Sequence, residues 1–164
     1  MNAPNPLPGL LRMNTRLLLN ALEGFPEGSA RVRLEGRTNH VAFLLVHLVD
    51  ARYFMALLCG LELENPLSEE FAHVTSVEEA AEYPTLEQLE SMWAEVGGLL
   101  HEHMASMGPE AWRRDTGRQF PNGDPSLAGA MAFLLEHEIY HIGQVGMIRR
   151  ALGLESLKWP SSSG

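Results

Sequence analysis

Four stretches of the chain repeat apolar residues at spacings of three and four, and no segment of useful length alternates them two by two. That periodicity confines the fold to packed helices. The first stretch covers about residues 8–23, with Leu10, Leu11, Leu17, Leu18 and Leu22 in phase, and ends at Gly24, Phe25 and Pro26. The second covers about 38–60 and carries His40, Leu44, His47, Ala51, Phe54 and Leu58 along one face. The third opens on Thr85 with Gln88 three residues later, a capping-box pattern, and runs to just before Gly108 and Pro109. Gly97 and Gly98 inside it each cost about 1 kcal/mol of helix propensity, which predicts close approach of another helix there. The fourth is expected to start with Asp124 as N-cap and Pro125 in the first turn, and to stop at Gly153, with Arg149 and Arg150 complementing the dipole of its last turn. Residues 31–35 and 119–120 alternate too briefly to make a sheet. The expected fold is an all-α four-helix bundle. Its link from Leu61 to Pro84 is too long for a plain turn and is either a crossover or the seat of a short helix near 68–71 or 77–81.

At 164 residues the chain fits a single domain, placed at 1–160 with a disordered tail at 161–164. Twelve basic against 21 acidic residues give a net charge of −9, which argues against binding nucleic acid or an anionic membrane. The N-terminal residues lack a basic and then apolar secretory pattern, and no unbroken apolar run approaches the roughly 20 residues of a membrane span. A cytoplasmic, soluble protein is expected. Cys59 is the single cysteine, so neither an intrachain disulfide nor a cysteine-based metal site is possible; any metal must be held by imidazole and carboxylate.

Seven histidines are available. His137 and His141 lie four apart on the fourth helix, project from one face and differ by about 6 Å in height, so both reach one ion. They share a line with Ala130, Leu134, Gln144 and Ile148 that should face into the bundle. Two adjacent imidazoles there need a partner, either a cation or a hydrogen-bonding neighbour such as Gln144. His47, mid-stripe on the second helix, is the preferred third ligand. His40 lies two turns away, cannot reach the same ion and reads as a half-exposed polar residue. Asp50, one turn beyond His47, is a candidate to orient a ligand, bind the ion or act as base; a solvated helix carboxylate is the plain alternative. His101 and His103 diverge on their helix, and His73 falls in the long link.

Residues 137–141 also spell His-Glu-x-x-His, in which a zinc protease uses the glutamate to activate water. The rest of that machinery is missing, because Gln144 and Met147 occupy the metzincin glycine and histidine positions and no suitable downstream glutamate follows. Glu138 remains a candidate base, with a ligand-orienting or solvated role as its alternative.

The segment 133–153, with its His-Glu-x-Tyr-His-x-Gly-Gln run, resembles the last-helix signature of the DinB family of bundle metalloproteins. Residues 39–50, with His47 followed by an apolar residue and Asp50, resemble that family's second-helix motif, and Pro121 to Pro125 fit its approach to the last helix. The resemblance implies an up-down-down-up bundle with a long crossover between its second and third helices. It further implies a divalent ion, commonly zinc or nickel, on His47, His137 and His141, and frequent homodimers. Relatives include transferases that use bacillithiol, mycothiol or glutathione, and a mycothiol-dependent isomerase. The expected function is therefore a metal-dependent thiol S-transferase with Asp50 or Glu138 as base. A non-catalytic, stress-linked metal-binding bundle is the alternative, and a metal-dependent hydrolase is a more distant one.

Overall fold

The computed structural model describes residues 5–71, 74, 76–77 and 82–160. Four long helices dominate: α1 (Leu7–Leu22), α2 (Val41–Cys59), α4 (Leu86–Ser106) and α6 (Leu127–Ala151). Two short ones, α3 (Ser68–Phe71) and α5 (Pro109–Arg113), sit in the links. Thus the long link does hold a short helix, at the first of the two expected places; of the second only Val77 is described. His73 and residues 161–164 fall outside the described residues. No strand occurs among them, and residues 34–36 form a 3-10 turn where the brief alternation lay.

Local chemistry sets most helix ends. Thr85 and Gln88 form the reciprocal capping box, and Gly60 closes α2 in a left-handed conformation at φ 83°. Two starts differ from expectation. His40 is not half-exposed: it is buried at the N-cap of α2, where its Nδ1 accepts the Phe43 N–H. The N-cap of α6 is Ser126, not Asp124. The Thr116 N–H and hydroxyl both donate to the Pro125 carbonyl, and the Leu127 N–H donates to the Arg114 carbonyl, which keeps Ser126 extended. Asp124 instead accepts the Ser126 N–H and shapes the turn just before the helix.

α1 and α2 each pack along both α4 and α6. The paired contacts give directions. Asn14 meets Glu138 and Ala21 meets Arg149, so α1 and α6 run parallel. Arg52 meets Trp93 and Cys59 meets His103, so α2 and α4 run parallel too, and the link between them must carry the chain back along the bundle. Arg52 with Glu138 and Cys59 with Met131 make α2 and α6 antiparallel. α2 is the one described helix long and apolar enough to cross a membrane, and most of it is buried inside the bundle.

The apolar core comes in two halves. One gathers Leu17, Leu44, Leu48, Leu89 and Val145; the other gathers Leu11, Met55, Leu100, Leu127 and Met131. Between them lies a buried polar layer to which every long helix contributes. The Arg52 Nε and Nη2 donate to Glu138 at 2.8 and 3.3 Å, and its Nη1 donates to the Trp93 carbonyl at 3.2 Å. The Asn14 amide donates to Glu138 at 2.9 Å and to the Leu135 carbonyl at 3.1 Å. The guanidinium lies 3.0 Å from the Trp93 ring centre, and the Trp93 indole donates to the Thr15 carbonyl. Gly97 is required here, because a methyl at that position would run into the Arg52 guanidinium. Gly98 faces open space, so only one of the glycine pair answers to close packing.

Candidate metal centre

The antiparallel pairing of α2 and α6 brings His47 to the pair on α6. Its Nε2 lies 2.9 Å from the His137 Nε2, which lies 3.1 Å from the His141 Nε2. One nitrogen from each ring falls within 4.8 Å of the others, and the rings stand nearly edge-on, at 72–83°. Nitrogen ligands about 2.0–2.1 Å from a tetrahedral ion lie about 3.3 Å apart, so the observed separations are close to those of a ligand set. The donor chemistry agrees. The His141 Nδ1–H donates to the Gln144 Oε1 at 2.7 Å, which fixes the tautomer and turns the Nε2 lone pair toward the other two rings. A cation would satisfy all three lone pairs at once; a shared proton would not.

Burial, and then the neighbouring His137 and His141, hold the His47 pKa down at about 4 from an ordinary 6.5. The His137 pKa is lowered as well, by burial first and His141 second. Both rings are therefore neutral at pH 7, the form in which imidazole binds a metal. Aromatic side chains back the ligands: Phe43 stacks on His47, Phe133 on His137, and Tyr140 meets the edge of His141.

The other candidates lie elsewhere. Asp50 is exposed, outside the converging group, and accepts a 2.7 Å hydrogen bond from Asn65. Glu138 requires a correction: it is fully buried in the polar layer, with both oxygens engaged by Arg52 and Asn14. One residue is about 100° of helical rotation, so Glu138 faces the core while His137 faces the site. It cannot act as the base, and the His-Glu-x-x-His match is one of spelling. His103 bonds the Cys59 carbonyl, and burial pushes the Cys59 thiol up to about 11, against a smaller opposing pull from Arg114. Arg149 does more than cap its own helix, since it donates to the Ala21 and Glu23 carbonyls at the end of α1.

Arg52 was missed by the sequence reading. An arginine in the most apolar helix is costly to bury without a carboxylate, and that cost was the available signal.

None of the curated proteins compared with the chain matches it. Among solved structures, YfiT from Bacillus subtilis superposes with a TM-score of 0.66 at 15% identity, covering 93% of this chain and 89% of that one. It is described as a probable metal-dependent hydrolase with an unusual four-helix bundle topology. At that identity the likeness speaks for the fold. The DinB superfamily profile matches residues 10–145, most of the sequence and both ligand-bearing helices. The chain belongs to the DinB superfamily.

Proposed function

We propose that this protein is a divalent-metal-dependent enzyme of the thiol S-transferase type, using a low-molecular-weight thiol. The observation that carries the metal part is the convergence of His47, His137 and His141, the first two held neutral by burial, with Gln144 orienting the third. Among the described residues the converging group has three donors, the number usual in catalytic rather than structural zinc sites. Bound there, a zinc- or nickel-class ion supplies Lewis acidity, which makes a thiol or a water easier to deprotonate. The sulfur must come from a small molecule, because Cys59 is buried, its thiol is pushed up, and it lies outside the ligand group. Of the two carboxylates expected as base, Glu138 is committed to Arg52, and Asp50 bonds Asn65 outside the converging group.

Hydrolysis is the second reading, favoured by the description of the structurally similar YfiT. Elemental analysis of purified protein after zinc or nickel loading comes first, with one ion per chain expected and none bound by His137→Ala. The loaded protein is then given an electrophile with bacillithiol, mycothiol or glutathione. Metal-dependent conjugation supports the transferase. Turnover of esters or amides without thiol supports the hydrolase instead, and a stoichiometric ion with neither activity leaves a non-catalytic metal protein.

A further inference from the structure

Beside the triad, a cavity of about 290 Å³ lies between the segment preceding α2 and the C-terminal half of α6. Arg37 and Asn39 line it from the first and Gln144 from the second, over an apolar base that includes Leu44 and Ile148. No acidic residue lines it, in a chain whose acids outnumber its bases 21 to 12. The Arg37 guanidinium has no carboxylate partner among the described residues. Its loop is nevertheless well fixed. The Thr38 hydroxyl accepts the Leu34 N–H, and the Thr38 carbonyl accepts the Arg33 Nε–H. Glu35 is held in the left-handed region at φ 51°, a conformation that a non-glycine residue keeps only where its surroundings impose it.

Gln144 joins this cavity to the metal ligands. Its Oε1 accepts from His141, and the same side chain forms part of the cavity wall. We propose that the cavity is a carboxylate-binding subsite. It takes the acid end of a small substrate or cosubstrate whose reacting end lies at the three histidines. Arg37 supplies the counter-charge, and the Asn39 and Gln144 amides supply further donors. An isolated guanidinium flanked by amides above apolar side chains suits a carboxylate on a short carbon chain. The link to the reacting end rests on the metal reading above; the preference for an anion rests on the cavity alone.

The test uses the full chain, with and without zinc, and two isosteric probes, butyrate and butyramide, with binding followed by titration calorimetry or ligand-observed NMR. Butyrate is expected to bind at least about tenfold more tightly in both states, the scale of a charge-assisted hydrogen bond. Arg37→Gln should reduce that preference to within about twofold, with zinc stoichiometry and melting temperature unchanged because Arg37 is exposed. Equal affinities in the wild-type chain, or a preference that survives Arg37→Gln, overturns the subsite. Zinc uptake is measured separately. A chain that takes up no zinc yet prefers butyrate through Arg37 keeps the anion site and loses the metal reading; one that binds zinc without the preference does the reverse.

Discussion

His137 and Glu138 are adjacent in sequence and serve different halves of the structure. The first turns its ring to the metal ligands, while the second points inward to Arg52. The histidine pair was legible because a spacing of four on one helix is a local fact. Which face a neighbouring carboxylate takes is decided by what packs against the helix. Here α1 brings Asn14 and α2 brings Arg52 to Glu138, and neither is evident from a local motif. Gln144 was legible as a possible partner, and its hydrogen bond to His141 carries a prediction. Gln144→Ala should weaken zinc binding by about 10- to 100-fold in competition with a chromophoric chelator, with the melting temperature nearly unchanged. His47 carries another. Its folded pKa of about 4 lies below its ordinary 6.5, so between those values the unfolded chain holds a proton that the folded chain does not. The stability tied to this ring is complete above about pH 6.5 and is lost as pH falls toward 4. Denaturant melts of metal-free protein across that range should show the decline, and His47→Phe should flatten it.

At the scale of elements, apolar spacing located all four long helices, and caps written into neighbouring residues fixed several ends. The Thr85–Gln88 box could be read directly because both partners lie within one turn. The start of α6 could not, because the Thr116 N–H and hydroxyl donate to the Pro125 carbonyl and the Leu127 N–H donates to the Arg114 carbonyl, contacts beyond the helix's own first turn that leave Ser126 extended. The two glycines of α4 separate propensity from packing. Gly98→Ala should raise stability by about 0.5–1 kcal/mol, since the helix gains propensity and the added methyl meets nothing. Gly97→Ala should lower it by about 1–3 kcal/mol, because the methyl meets the immobilised Arg52 guanidinium. Urea titration of the two variants checks both signs. Equal shifts would show that Arg52 moves aside freely.

The whole molecule is divided by its ionic layer, and single and paired substitutions there should behave very differently. Glu138→Ala leaves the Arg52 charge buried without a counter-ion and should cost about 3–5 kcal/mol in chemical denaturation. The double variant Arg52→Met with Glu138→Leu removes both charges and should recover most of that loss. A double variant as unstable as the single one would mean that Trp93 and Asn14, and not the ion pair, hold the centre together.

Smooth apolar helices can slide against one another at little cost, because one turn of leucines resembles the next. A slip of one turn, about 5.4 Å, between α2 and α6 would instead strand a guanidinium and a carboxylate in the core. The layer thus sets the register of the two helices. In doing so it fixes the height at which His47 arrives opposite His137 and His141, an alignment that three half-buried imidazoles have no means of imposing on the bundle themselves.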